Sequence, residues 1–404
     1  MCKFDALCYT VRMKYEELKK EFCKLYGDGP MRIFKSAARI NLIGEHIDFS
    51  GGLVFPAAIA LRSACVVRER SDGMIRLAST SCDHRVECRT NDLAGHSDLP
   101  WGGYQLGMLY VMQQAGYTIT GMDMLFDETV PHGGGLSASA AIELATGIAA
   151  ATLSHEKAGT PIDRVALAKL GQKAENEYMG MNCGIMDQFA SAMGKKGQAM
   201  LLDTAAVTCK YAPVELEKDG LCLCIMNTNK PHNLVNSPYN ARRADCESAL
   251  ADIREIRPLE NLCDLSPAEF EEVKHAIKTK NGLKRATHAI YENQRTKDAF
   301  QALCAGDMQT FGKILIEGHA SMRDLYEATG PELDAIVDAA LSQKGVLGAR
   351  MMGGGYGGCA VALLPKENLA EFQKAVAAEY TEKIGYTPSF YPAELEDGAV
   401  EIFE

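Results

Sequence analysis

The sequence predicts an α+β protein built from two lobes. Its 404 residues exceed the usual size of a single hydrophobic core. Strand patterns crowd the first half without the regular strand–helix alternation of a doubly wound sheet, whereas residues 238–343 are nearly all helical in pattern. We place the lobe boundary at this shift, which gives an N-terminal lobe of residues 1–205 and a C-terminal lobe of residues 206–404.

The N-terminal half begins with an amphipathic helix over 13–26, predicted from apolar residues that recur at helical spacing. Strands are predicted next, the last two joined by a hairpin turn at 71–73, over 32–37, 53–61, 64–69 and 74–79. Further helices are predicted over 101–115, 139–153 and 162–179. The remaining strands of this half and of the start of the next are predicted over 121–128, 199–203 and 221–227.

The helical second half is punctuated by residues that favour breaks, at Gly282, Gly306 and Gly330–Pro331. Two strands, 346–352 and 359–364, flank a run of glycines, and a final helix and strand close the chain.

Composition excludes several classes of function. The formal net charge is −11, which disfavours general binding to nucleic acid or to an anionic membrane. No run of about 20 apolar residues predicts a membrane span, and the N-terminus lacks the apolar stretch of a signal peptide. The 14 cysteines are scattered without a CxxC pair, so we expect reduced thiols in a cytoplasmic protein.

A glycine-rich segment at 130–141 is the first candidate site. Gly133, Gly134 and Gly135 allow close approach to a ligand, and the small residues after them open a helix whose free N–H groups favour an anion such as phosphate. Ser137 and Ser139 can cap that helix, and a hydroxyl here can also bind magnesium. The lysine of a Walker A loop is missing. The alternative is a plain connector followed by an ordinary helix cap.

A second glycine run has five glycines in the six positions 353–358, between two strand patterns. Glycine forgoes side-chain packing there, so a close ligand or a close second backbone is needed to explain it. Two such loops in one chain favour a nucleotide site.

Polar side chains concentrate at 39–52, where one arginine, two acids and a histidine occur within ten residues. Carboxylates and an imidazole suit the fixed directions of sugar hydroxyls. The alternatives are a metal site, which no second His or Cys cluster completes, and a solvated surface loop.

Asp187 begins an apolar helix, where its charge is favoured by the helix dipole. A simple helix cap explains that position. In a kinase, an aspartate beside an arginine is also the expected acceptor of the proton of a hydroxyl nucleophile.

Taken together these segments resemble the galactokinases of the GHMP small-molecule kinase superfamily over essentially the whole chain. Residues 39–52 are similar to the galactokinase signature and residues 135–141 to the superfamily's phosphate loop. Residues 351–359 are similar to the third motif, which closes over the nucleotide, and residues 183–191 to the segment that carries the catalytic aspartate. The resemblance implies the two-lobed GHMP kinase fold, with the active site in the cleft between the lobes.

The resemblance also implies roles for individual residues. Asp187 would be the base and Arg39 its electrostatic partner. The sugar pocket would be lined by Glu45, His46, Asp48, Gly184 and Tyr239. ATP would be held by Gly133, Gly134, Gly135, Leu136, Ser137, Ser139, Ala140 and Gly354, with its adenine beside Trp101 and Tyr104. Magnesium would be bound by Ser139 and Glu175.

The implied reaction is transfer from ATP to the anomeric hydroxyl of galactose by a monomer with no nucleic-acid or membrane partner. The signature departs from the family's usual pattern at Ile47, Phe49 and Ser50, which affects the pocket and leaves N-acetylgalactosamine, galacturonic acid and arabinose as alternative substrates. A sensor that binds sugar and ATP without turnover is the alternative from another class. The role of His132 is left open.

Overall fold

The computed structural model describes residues 13–99, 101–131, 133–230 and 238–403. His132 lies outside these described residues. The helices of the described ranges are α1 (Tyr15–Tyr26), α2 (Gly103–Gln114), α3 (Ala138–Ala158), α4 (Arg164–Lys173), α5 (Met186–Met193), α6 (Tyr239–Arg254), α7 (Pro267–Val273), α8 (Lys280–Ala305), α9 (Met308–Ser321), α10 (Pro331–Leu341) and α11 (Leu369–Ile384). Their strands are β1 (Arg32–Asn41), β2 (Leu53–Val54), β3 (Pro56–Arg70), β4 (Met74–Ser79), β5 (Arg85–Arg89), β6 (Gly121–Glu128), β7 (Gln198–Asp203), β8 (Thr208–Pro213), β9 (Leu221–Asn227), β10 (Gly348–Met351), β11 (Cys359–Pro365), β12 (Ser389–Pro392) and β13 (Val400–Ile402).

The largest sheet has six strands in the order β13-β1-β3-β6-β4-β5. Its strands pair antiparallel except β4 and β6, which are parallel. α3 packs against β1 and β3 with a nearly all-apolar buried surface, and α1 packs against β3 and β6. A bulge between Ala37 and Ala38 shifts the register of β1 just before Arg39, and so helps to set where that side chain points.

The predicted hairpin between residues 64–69 and 74–79 is wrong. The turn at 71–73 exists, and Asp72 Oδ1 accepts a hydrogen bond from Met74 N at 3.0 Å. However, β6 lies between β3 and β4 and pairs with both. All eight residues of β6 are buried. Its central position pairs both of its edges, whereas a hairpin of β3 and β4 would leave β6 with an unpaired edge.

Two smaller sheets complete the strand set of the described residues, with the orders β10-β11-β9-β12 and β2-β7-β8. The four-stranded sheet packs against α9, α10 and neighbouring helices. The chain then returns to the six-stranded sheet, where β13 pairs with β1 and Ile402 lies opposite Ile33. The boundary at residue 205 stays a prediction.

The helical character of the second half is confirmed, and so are the breaks at Gly306 and Gly330–Pro331. The break at Gly282 is wrong, because this residue lies in the first turn of α8. Thr279 caps that helix, and its Oγ1 accepts a hydrogen bond from Gly282 N at 3.0 Å. Across the described ranges, none of the helices is both long and apolar enough to cross a bilayer.

Candidate active site

Arg39 on β1 and Asp187 in the first turn of α5 meet side by side, although 148 positions separate them in the chain. Arg39 Nε donates to Asp187 Oδ1 at 2.8 Å, and Nη2 donates to Oδ2 at 2.9 Å. This two-pronged geometry is the strong form of an arginine–carboxylate bond. The guanidinium is nearly buried, whereas the Asp187 side chain is 30% exposed and can therefore reach a ligand.

The glycine-rich segment before α3 is attached to the same arginine. Arg39 Nη1 donates to Gly135 O at 2.7 Å, and the Arg39 backbone N–H donates to Leu136 O at 3.3 Å. Ser137 has the left-handed φ of 61°, and its hydroxyl donates to Asp187 Oδ2 at 2.6 Å. The phosphate loop and the candidate base are therefore held as one unit.

The predicted capping of α3 by serine side chains is wrong. Ser137 occupies the N-cap position, but its hydroxyl is turned to Asp187 and makes no cap hydrogen bond. The first N–H groups of α3 thus stay open to an anion, as the phosphate-loop prediction requires. The side chains of Leu136 and Ala140 are buried in the core, so any contact of these two residues with ATP is through the backbone.

The second glycine run, residues 353–358, lies with its backbone against the backbone of the phosphate loop. A Cβ at Gly353 would lie 2.8 Å from Gly135 O, and one at Gly358 would lie 3.2 Å from Gly134 O. Of the two explanations that the sequence allows for these glycines, a close second backbone is the one observed. Gly354 O lies 3.2 Å from His46 Nε2, so this motif also contacts the signature segment.

Asp48 and Gly184 are in intimate contact beside Asp187. A Cβ at Gly184 would lie only 1.8 Å from Asp48 Oδ2, so no larger residue fits. Burial, and next the charge of Asp187, raise the pKa of Asp48 to about 6, while backbone hydrogen bonds from Phe49 and Met186 oppose the rise. Two of the predicted pocket residues therefore lie together beside the predicted base.

His46 and Tyr239 form an aromatic wall on the same pocket. Their ring centroids are 5.0 Å apart, and the His46 ring also packs on Tyr326 at 4.8 Å. Burial lowers the pKa of His46 to about 3, which keeps the imidazole neutral. Glu45 is more deeply placed, because it has no exposed surface and its Oε1 accepts a hydrogen bond from Gly353 N at 3.0 Å.

The departures at 47, 49 and 50 differ in their surroundings. Ile47 is fully buried and packs against Gly52, where a Cβ would lie 2.8 Å from Ile47 Cδ1. Ser50 is buried too. The Phe49 ring lies edge-on to Tyr239 at a centroid distance of 6.1 Å.

Ser139 and Glu175 lie together near Asp187, as expected for a shared metal ion. Glu175 sits in a π-helical turn (Ala174–Tyr178), where Ser139 and Gln188 both hydrogen-bond its carboxylate, Gln188 Nε2 at 2.6 Å from Oε2. Burial and the charge of Asp187 raise the pKa of Glu175 to about 7. A bound cation would stabilise the ionised Glu175 carboxylate and so lower its pKa. One carboxylate and one hydroxyl beside phosphates are ligands that suit magnesium. In the described ranges, this site included, no group of three or more His, Cys, Asp or Glu is placed to hold a metal ion, so the candidate protein ligands here are one carboxylate and one hydroxyl.

Trp101 and Tyr104 lie at the start of α2. The Trp101 ring packs edge-on against Phe126 at 6.1 Å. Tyr104 is close enough to Glu175 for that carboxylate, after burial, to raise the pKa of the phenol. Tyr104 thus borders the candidate phosphate and metal site, while contact of either ring with adenine stays a prediction.

Sequence reasoning missed three residues that shape the site. Gln188 and the buried Glu143 join Glu175, with Gln188 Nε2 3.3 Å from Glu143 Oε2. Arg350 forms an ion pair with Glu45. Of these three, only Gln188 could have been found from the sequence, because it directly follows Asp187 in a helix that faces the phosphate loop.

A phosphate loop at a helix start, joined through one arginine to a partly exposed carboxylate, defines a small-molecule kinase of the GHMP class. The family models agree: GHMP kinases N terminal domain matches residues 104–195 and GHMP kinases C terminal matches residues 299–382. A third model, the galactokinase galactose-binding signature, matches residues 20–69.

Full-length relatives narrow the class. A galactokinase of Clostridium tetani is 47% identical over 96% of this chain and 98% of its own length, and one of Ligilactobacillus salivarius is 42% identical over 96% and 99%. The crystal structure of Lactococcus lactis galactokinase complexed with galactose matches with a TM-score of 0.92 at 39% identity, covering 96% of this chain and 100% of that one. The chain belongs to the galactokinase family.

The fold predicted from sequence, two lobes of mixed helices and sheets in the GHMP arrangement, is thereby confirmed. The Methanococcus jannaschii mevalonate kinase shares it with a TM-score of 0.65 at 18% identity, over 91% of this chain and 99% of that one. The predicted class of enzyme, a sugar kinase that uses ATP, is confirmed as well. A monomeric state and a cytoplasmic location stay predictions.

Proposed function

We propose that this enzyme transfers the γ-phosphoryl group of ATP to the anomeric hydroxyl of galactose, with Asp187 as the base. The observation that carries the proposal is the partly exposed Asp187 carboxylate, held by Arg39 beside the phosphate loop. The names of its relatives and the galactose in the Lactococcus lactis structure support the choice of sugar.

In this reaction Asp187 accepts the proton of the hydroxyl as its oxygen attacks the γ-phosphorus. The new bond is the O–P bond of the sugar phosphate, the bond that breaks joins the γ-phosphorus to the oxygen bridging to the β-phosphate, and ADP leaves. Arg39 holds the carboxylate in place and brings positive charge to the transferring group. The exposed part of Asp187 lets the proton pass to water afterwards.

The sugar would lie against Asp48, Gly184, His46 and Tyr239. An ionised Asp48 can accept hydrogen bonds from two neighbouring hydroxyls, and the aromatic rings can cover the apolar face of the sugar. The Gly184 backbone lets Asp48 and Asp187 approach the same ring. Glu45 shapes this pocket from beneath through Gly353.

A sugar panel with coupled ADP detection tests the choice of substrate. Galactose should give a kcat/KM at least about tenfold above N-acetylgalactosamine, galacturonic acid and arabinose, because one misplaced or missing polar contact costs about that much. A higher kcat/KM for another of these sugars would replace galactose as the substrate, and a binding-only sensor would release no ADP with any of them.

Ser139 and Glu175 would hold magnesium, which neutralises charge on the phosphates when bound. We expect Glu175→Gln to raise the magnesium concentration for half-maximal activity about tenfold or more and to weaken calorimetric binding of a magnesium–ATP analogue complex. Glu177→Gln is the matched control, since Glu177 is an exposed neighbour in the same turn. Identical magnesium dependence and analogue affinity in the two variants would remove Glu175 from the metal site.

A further inference from the structure

Three charged side chains are buried against the signature segment, where they contact one another and the backbone of that segment. Arg350, Glu45 and Glu292 each have no exposed surface. Removing charges from water is costly unless they are paired and hydrogen-bonded, and apolar residues would fill such a space at less cost. Their placement therefore calls for a function other than stability.

Arg350 lies on β10, and its contacts converge on the segment 41–45. Its Nη1 pairs with Glu45 Oε2 and donates to Asn41 O at 3.3 Å and Leu42 O at 3.1 Å. Its Nη2 is 3.8 Å from Glu292 Oε1, and that same oxygen accepts a hydrogen bond from Gly44 N at 3.1 Å. The guanidinium thus holds the backbone of the signature segment directly and through Glu292.

The second glycine run, residues 353–358, lies on the opposite side of this cluster. Glu45 uses its other oxygen, Oε1, to accept a hydrogen bond from Gly353 N, and His46 Nε2 contacts Gly354 O. Since Gly353 and Gly358 lie against the backbone of the phosphate loop, contacts continue without a gap from Arg350 to residues 134–135. His46 and Asp48 follow directly on the segment that Arg350 holds, and both face the sugar pocket.

We infer that Arg350 is a positioning residue that makes binding of the sugar and binding of the nucleotide cooperative. The inference rests on the proposed function, because it takes galactose and ATP as the two ligands. A sugar bound at His46 and Asp48 holds segment 41–48 in one position, and through Glu45 this fixes Gly353 and the phosphate loop. ATP does the same in reverse, because coupling between two sites is reciprocal.

Calorimetry with galactose and a non-hydrolysable ATP analogue with magnesium tests the inference, each ligand being titrated with and without the other at saturation. In the parent protein each ligand should tighten the other by the same factor, about 5–150-fold. Arg350→Met should bring that factor below about 2 while both ligands still bind. Arg350→Lys keeps the charge, but one ammonium cannot occupy both the Nη1 position at Glu45 and the Nη2 position near Glu292, so its factor should be at least about threefold below the parent's.

Arg295→Met is the matched control. Arg295 Nε donates to Glu292 Oε2 at 2.7 Å, so this variant also deprives the buried cluster of a guanidinium. Within the described ranges, Arg295 makes no hydrogen bond to segment 41–45. It should retain the parent's coupling factor. If Arg350→Met does not fold, Arg350→Lys carries the test.

Three results would overturn the inference: full coupling in a folded Arg350 variant, equal loss of coupling in Arg295→Met, or no coupling in a parent that binds both ligands. The last leaves the proposed function standing. A parent that binds no galactose overturns the proposed function and this inference with it.

Discussion

Asp187→Asn should lower kcat by about 10²–10⁴-fold, the range that general-base catalysis contributes. The amide can occupy the same space but cannot accept the proton of the sugar hydroxyl. Its oxygen can still take one hydrogen bond from Arg39, so the loop held through Gly135 should stay in place. We therefore expect kcat to fall while the dissociation constants of galactose and ATP change by less than about tenfold, measured by coupled ADP release and calorimetry.

Asp163→Asn is the matched control for this change. Asp163 caps α4, and its Oδ1 accepts hydrogen bonds from Val165 N at 2.9 Å and Ala166 N at 3.2 Å. If Asp187 were only a helix cap, neither variant would lose kcat, and both would melt near the parent's temperature, because asparagine caps a helix about as well as aspartate. A kcat for Asp187→Asn within about threefold of the parent's would reject the base assignment.

Gly184→Ala should raise the KM for galactose by about 10–150-fold and leave the KM for ATP nearly unchanged. A Cβ 1.8 Å from Asp48 Oδ2 and 2.2 Å from Cγ is far inside contact distance, so the carboxylate has to turn away. A charge-assisted hydrogen bond that is lost with its geometry costs about 1.5–3 kcal/mol, which gives that range. Initial rates at varied galactose and at varied ATP measure the two constants separately.

Asn182→Ala serves as the control for Gly184→Ala, because Asn182 is an exposed side chain two residues away in the same loop. It should leave both KM values unchanged. A Gly184→Ala protein that melts at the parent's temperature and keeps the parent's KM for galactose would show that Asp48 does not bind the sugar.

The pairing of Arg39 with Asp187 could be predicted from the resemblance to the galactokinases and not from the residues alone, because 148 positions separate them. The local chemistry of Asp187 could be predicted from its own position, since the helix dipole favours an acid at a helix start. The loop at 133–135 could also be predicted from its own residues, because three glycines before a helix favour an anion site.

Pairing across the sheet was less predictable. The turn at 71–73 has hairpin chemistry, yet local residues cannot say that β6, some 40 positions later, will insert between β3 and β4. The same limit applies to Arg350, an arginine in a short buried strand whose partners Asn41 and Leu42 are more than 300 positions away. Capping of the helix by the Ser137 side chain is the natural prediction, because the sequence does not show the left-handed φ that turns the hydroxyl to Asp187.

A crystal structure of the protein with galactose and a non-hydrolysable ATP analogue tests the central claim most directly. It should place the anomeric oxygen within about 2.6–3.2 Å of an Asp187 carboxylate oxygen, with the γ-phosphorus on the far side of that oxygen and the phosphates at the start of α3. A sugar whose anomeric oxygen points away from Asp187, or phosphates bound elsewhere than residues 133–139, would contradict it.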